Sequence, residues 1–136
     1  GSFDLGQQMP ISLVAARFDR VETDYGMTLL SLGKQRLTVS ETLTESEDPY
    51  RLRINASDVA VALHRPVGTS FQNVLEGHVL DVQRLTAGFA DVVVSVDGQP
   101  VVARVTRKAA DELKLAVDMT VFVLIKSMAI EGAVCS

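Results

Sequence analysis

Asp91-Val92-Val93-Val94-Ser95-Val96, then Asp97-Gly98, then Val101-Val102-Ala103-Arg104-Val105 spells two strands with the turn between them. β-branched residues dominate both runs in the period-2 pattern of half-buried strands. Asp97-Gly98 supplies the positive backbone angles that a two-residue hairpin requires. The same design occurs earlier, where Met27 to Leu32 and Leu37 to Val39 flank Gly33-Lys34. Only one segment predicts a helix. Thr106 caps it, Arg107 to Leu115 form it, and Ala109, Ala110 and Leu113 make its apolar stripe. A final strand is expected over Thr120 to Lys126.

Working outward, the two halves of the chain resemble each other. Arg17-Phe18-Asp19-Arg20-Val21 parallels Val79-Leu80-Asp81-Val82, with Asp19 set opposite Asp81, and Ile54-Asn55-Ala56-Ser57 parallels Ile125-Lys126-Ser127-Met128. In place of the helix the first half has an acidic turn, Glu45-Ser46-Glu47-Asp48-Pro49. Internal repeats expose architecture. The expected fold is all-β: two tandem five-stranded barrel-like units with one short helix in the second. Residues 1–8 read as tag or linker, 9–65 as the first unit and 66–134 as the second.

Composition fits this reading. With 136 residues the chain has room for one ordinary domain or two very small ones, and 47% hydrophobic residues suffice for a core. A net charge of -4, few aromatics and no basic run argue against a nucleic-acid surface. The longest apolar run, Met119 to Ile125, is far shorter than the ~20 residues of a membrane span. Gly1-Ser2 reads as a cloning remnant, with the natural protein continuing upstream. Cys135 is the sole cysteine, which excludes a disulfide within one chain and fits a reducing compartment.

Several chemistries lack their residues. A phosphate-wrapping Walker loop needs four residues between its glycines and a Lys-Ser/Thr ending, but Gly26 to Gly33-Lys34-Gln35 has neither. A Gly-x-Ser-x-Gly nucleophile elbow is missing. His64 and His78 sit in separate segments without a partner at metal-ligand spacing, and Glu45, Glu47 and Asp48 lack the spaced ligands of a calcium loop. No catalytic residue is assigned and no metal or covalent cofactor is expected.

One segment remains. In Gly68-Thr69-Ser70-Phe71-Gln72-Asn73-Val74-Leu75-Glu76-Gly77, Thr69 or Ser70 is placed to cap a helical turn through Leu75 that Gly77 ends. Free backbone N–H groups beside a hydroxyl form an oxyanion site. The same spacing also describes a capped connector between two barrels.

Family resemblance favours the oxyanion. From Thr69 to Ile130 the chain resembles the molybdate-binding domain of molbindins (Mop/TOBE type, an OB-like fold). That family opens with Ser-Ala-Arg-Asn, an apolar residue and a glycine, and closes with Ile-Lys-Ala/Ser-Ser. Here these are Ser70-Phe71-Gln72-Asn73 with Gly77, and Ile125-Lys126-Ser127, while Ala103-Arg104-Val105-Thr106 matches the Ala-Val-Ile-Thr that precedes the helix. Upstream, Arg51 to Val59 followed by Leu63-His64-Arg65-Pro66 is similar to the regulatory part of molybdate importer ATPase subunits.

The resemblance implies an oxyanion site of Ser70, Phe71, Gln72, Thr106, Lys126 and Ser127. Ser70 would give its hydroxyl and amide, Lys126 the positive charge, and Thr106 and Ser127 further donors. The implied ligand is molybdate or tungstate, held between subunits or repeats. The implied partners are a second copy of the chain and, in the intact importer, its membrane permease subunits, at a cytoplasmic site peripheral to the inner membrane. The chain would be a regulatory domain and no enzyme, the ATPase part lying upstream. A TOBE-type domain of another importer and a free-standing molybdate storage protein are the alternatives. Three departures from the family bear on affinity: Gln72 replaces an arginine, Asn55 replaces a basic residue of the first repeat, and Ala109 lacks a hydroxyl that some members carry.

Overall fold

The computed structural model describes residues 8–133, so the Gly1-Ser2 pair and Cys135 lie outside the described residues. Ten strands and one helix follow in the order β1 (Ile11–Glu22), β2 (Met27–Leu32), β3 (Gln35–Val39), β4 (Tyr50–Asn55), β5 (Val59–Ala62), β6 (Asn73–Arg84), β7 (Phe89–Val96), β8 (Gln99–Thr106), α1 (Arg107–Glu112), β9 (Thr120–Ile125) and β10 (Ala129–Ala133). The quoted hairpin is β7–β8, with Asp97 and Gly98 at φ 49 and 86, as an Asp-Gly turn demands. Period 2 decides which faces are covered. On β4, Tyr50, Leu52 and Ile54 are buried while Arg51, Arg53 and Asn55 are exposed. Val92, Val94, Val96, Val101 and Ala103 of β7–β8 enter one core with Leu30, Leu37 and Leu52 of the first half.

All pairings are antiparallel, in two five-stranded sheets ordered β10-β4-β1-β2-β3 and β5-β9-β6-β7-β8. The all-β, twice five-stranded expectation is borne out. The sheets nevertheless do not divide the chain at residue 65. β5 leaves the first half to pair with β9, and β10 returns from the second half to pair with β4. Each half thus completes the other's sheet.

Three side-chain amides then join the sheets by imitating backbone pairing. Gln35 donates to the Glu76 carbonyl (2.8 Å) and accepts from its N–H (2.7 Å). Gln99 does the same to Ala15 at 2.9 and 2.8 Å. Asn73, 5% exposed, donates to the Thr38 carbonyl (2.9 Å) and accepts from its N–H (2.7 Å). Polar side chains satisfied on both sides specify how the sheets meet.

Three expectations need correction. First, no helical turn forms over 69–75: residues 69–72 are irregular, the Phe71 N–H donates to Thr69 Oγ1 (3.2 Å), and β6 starts at Asn73. Pairing with β9 supplies the hydrogen bonds a turn would have used. Gly77 therefore ends nothing; it lies within β6, where a Cβ would collide with the Ser95 carbonyl oxygen. Second, α1 keeps its Thr106 cap, which accepts from the Ala109 N–H at 3.0 Å, but stops at Glu112 because Lys114 adopts φ 54. Third, Asp19 does not match Asp81. Both long strands bulge at the same place, between Phe18 and Arg20 and between Val79 and Asp81, so Arg20 matches Asp81 and Asp19 matches Leu80.

Gly77→Ala follows as a test of this close approach. The backbone of β7 cannot recede without breaking its pairs with β6 and β8, so the variant should lose about 1–3 kcal/mol of stability, read from its urea midpoint. An unchanged midpoint would show that the strands have slack there.

Candidate functional site

Antiparallel pairing sets Asn73 of β6 opposite Ile125 of β9. The residues just before Asn73 and just after Ile125 therefore leave the sheet side by side. Ser70, Phe71 and Gln72 arrive from one direction, Lys126 and Ser127 depart in the other. The Asn73–Thr38 amide pairing brings the end of β3 against them. Together they enclose a cleft of about 250 Å³, lined by those five residues and by Met27, Thr38, Val39, Ser40, Asn73 and Met128. The backbone at Lys126 is fixed, since its N–H donates to the Asp58 carbonyl at 2.8 Å.

The chemistry of the lining is one-sided. Lys126 is the only charged side chain around the cleft, and Ser40, Ser70, Ser127 and Thr38 add hydroxyls. Among the described residues, no hydrogen bond or ion pair engages the side chains of Ser70, Gln72, Lys126 or Ser127. A cation with several unengaged donors and no carboxylate on the lining suits an anion that accepts hydrogen bonds. A second cleft, lined by Gln35, Arg65, Glu76, His78 and Asp97 among others, mixes both signs of charge and lacks this bias. Groups of three or more metal-ligating side chains do not occur among the described residues.

Five of the six residues singled out from the sequence therefore meet in one cleft. Thr106 does not join them: it sits at the β8–α1 junction with its hydroxyl capping the helix. Sequence reasoning missed Met27, Thr38, Ser40 and Asn73. The Asn73 position lay within the matched segment, but its role depends on a partner strand from the other half. The first-half residues carry no motif, and only the sheet-to-sheet pairing brings them here.

Residues 69–131 match the model of the TOBE domain. The chain is 30% identical over 125 residues to the molybdenum import ATP-binding protein ModC of Haemophilus influenzae, covering 92% of this chain and 35% of that protein. It is 36% identical over 127 residues to the ModC protein of Yersinia pestis strain Antiqua, covering 91% and 34%. The chain thus spans about a third of the length of these relatives. Among solved structures, the cytoplasmic molybdate-binding protein ModG with molybdate bound superposes with a TM-score of 0.71 at 18% identity, covering 91% of this chain and 95% of that one. At that identity the likeness is one of fold.

Proposed function

Through residues 69–131 this chain belongs to the TOBE domain family, and on that premise we propose that it is an oxyanion-binding regulatory domain of a molybdate importer's ATP-binding subunit. Molybdate or tungstate is the ligand. The observation that carries the reading is the cleft in which Lys126, the single charge, stands among the unengaged side chains of Ser70, Gln72 and Ser127. Hydrogen bonds to charged groups contribute roughly 1.5–3 kcal/mol each. Three or four of them together amount to about 5–12 kcal/mol before association costs are met. The ModC relatives support the importer context, and ModG supports molybdate as the ligand of such a fold.

In this reading the domain senses cytoplasmic molybdate for an importer whose permease subunits are its membrane partners. No helix among the described residues is long and apolar enough to cross a membrane. Thr106 lies outside the cleft, so its hydroxyl would reach the anion only across an interface between two copies. An anion that binds the paired form alone stabilises pairing by its own binding free energy. Light scattering should accordingly show a dimer at micromolar concentration that molybdate strengthens, and a strict monomer with and without anion would remove the paired-domain part of the reading. Calorimetric titration with molybdate, tungstate and sulfate tests the ligand directly; no heat with any of the three would overturn it.

One observation favours a second reading. The match to ModG spans nearly that whole chain, which suits a free-standing molybdate-binding protein. An open reading frame continuing upstream through a Walker loop would decide for the importer subunit.

A further inference from the structure

The internal repeat relates the open cleft to a second place in the molecule. Strand pairings define the correspondence. Asn73 opposite Ile125 matches Ser12 opposite Ile54, and Thr28 opposite Val39 matches Val92 opposite Ala103. Even the cross-sheet bond repeats: as Thr38 N–H donates to Asn73 Oδ1, Val102 N–H donates to Ser12 Oγ at 2.9 Å. Carried one to three positions further, Ser70 corresponds to Met9 and Lys126 to Asn55. Likewise Ser127 corresponds to Ala56, Ser40 to Arg104 and Met27 to Asp91.

The second place is therefore poorer in donors on one side and carries a cation on the other. That cation is already engaged. Arg104 Nε donates to Asp91 Oδ1 and Arg104 Nη2 to Asp91 Oδ2, both at 2.8 Å, a two-pronged pairing, and Nη2 also donates to the Gln8 carbonyl at 2.9 Å. The two side chains are only 8% and 7% exposed. A guanidinium fork holding two oxygens of one anionic group is also how arginine holds a tetrahedral oxyanion.

We infer that the chain contains a second oxyanion-site frame closed by its own carboxylate, with Asp91 standing where the repeat would otherwise place a bound anion. This rests on the reading of the open cleft as an oxyanion site. It adds a stoichiometry and a residue: the chain binds one anion, not two, and Asp91 is what excludes the second. Divergence of the repeats thus turned one site into a structural ion pair and kept the other for ligand.

The test is calorimetric titration of the full chain with sodium molybdate, with thermal melts in molybdate and in sulfate. The unaltered chain should take up no more than one molybdate per chain, and Lys126→Ala should weaken that event at least tenfold. Asp91→Ala should keep it and add a second, which persists in Asp91→Ala/Lys126→Ala and disappears in Asp91→Ala/Arg104→Met. The melting temperature of Asp91→Ala/Lys126→Ala should rise with either anion. If Asp91→Ala folds poorly, its refolding yield with molybdate or sulfate becomes the readout, and rescue supports the inference. Two sites in the unaltered chain, or an Asp91→Ala variant that gains neither binding nor anion-dependent stability, would overturn it. Binding that ignores Lys126→Ala would instead overturn the reading of the open cleft, so the two failures are distinct.

Discussion

Lys126→Ala should weaken molybdate binding at least tenfold, equivalent to about 1.4 kcal/mol or more, with almost no change in the urea midpoint. Lys126 is the only charge on the cleft lining, and a dianion withdrawn from water without compensating charge is strongly penalised. The neighbouring hydroxyls can donate hydrogen bonds but cannot replace the charge. The side chain is exposed and forms no ion pair among the described residues. What holds position 126 in the fold is its backbone N–H on the Asp58 carbonyl, and alanine keeps that bond. Stability and affinity should therefore separate. Gln72→Arg makes the complementary variant, adding a guanidinium that can meet two anion oxygens at once, and should tighten binding. If both variants bind as the unaltered chain does, the anion sits elsewhere.

How far this site was legible before the fold depended on which physical property each residue expresses locally. The β7–β8 hairpin announces itself because β-branched alternation and Asp97-Gly98 are local signals. The same is true of the Thr106 cap, whose acceptor lies three residues from its donor. Ser70 to Gln72 and Lys126-Ser127 were legible through their motifs, and antiparallel register explains why they converge. Alternation tells a strand which face is covered but not which strand lies beside it. For that reason the crossing of β5 and β10 between halves, and with it the contribution of Thr38 and Ser40 to the cleft, could not be read from either half alone. Hydroxyls at 69 and 70 signal a cap wherever they occur, and only the β9 partner explains why a strand forms instead. Gly77 shows the same limit, since a glycine required by a close backbone neighbour looks in sequence like a glycine that ends a helix.

Arg104→Met should destabilise the chain by about 3–5 kcal/mol, the largest effect expected of any single substitution considered. The methionine retains most of the apolar stem, so packing is largely conserved and the loss is electrostatic. Asp91, 7% exposed, would lose both guanidinium bonds, and the Gln8 carbonyl would lose one from Nη2. In the unaltered chain Arg104 stays protonated. Its hydrogen bond with Asp91 raises the guanidinium above its ordinary range, against the opposing effect of burial. A raised basic group contributes fully at every pH below its unfolded value and loses that contribution only as pH rises through the folded one, so the arginine side of the pair is intact at neutral pH. The double substitution Asp91→Val/Arg104→Met should behave differently. Removing both charges and filling their space with apolar atoms is often neutral or stabilising, so most of the single variant's loss should return. Urea midpoints of the two single variants and the double variant measure this as a cycle. Near-additive losses would mean that Asp91 and Arg104 act independently, and a shift below about 1 kcal/mol in Arg104→Met would mean that the pair is hydrated, as exposed pairs are. Strong coupling with a near-normal double variant would show that the pair is costly to break yet dispensable as a source of stability, which is what a site closed by its own carboxylate requires.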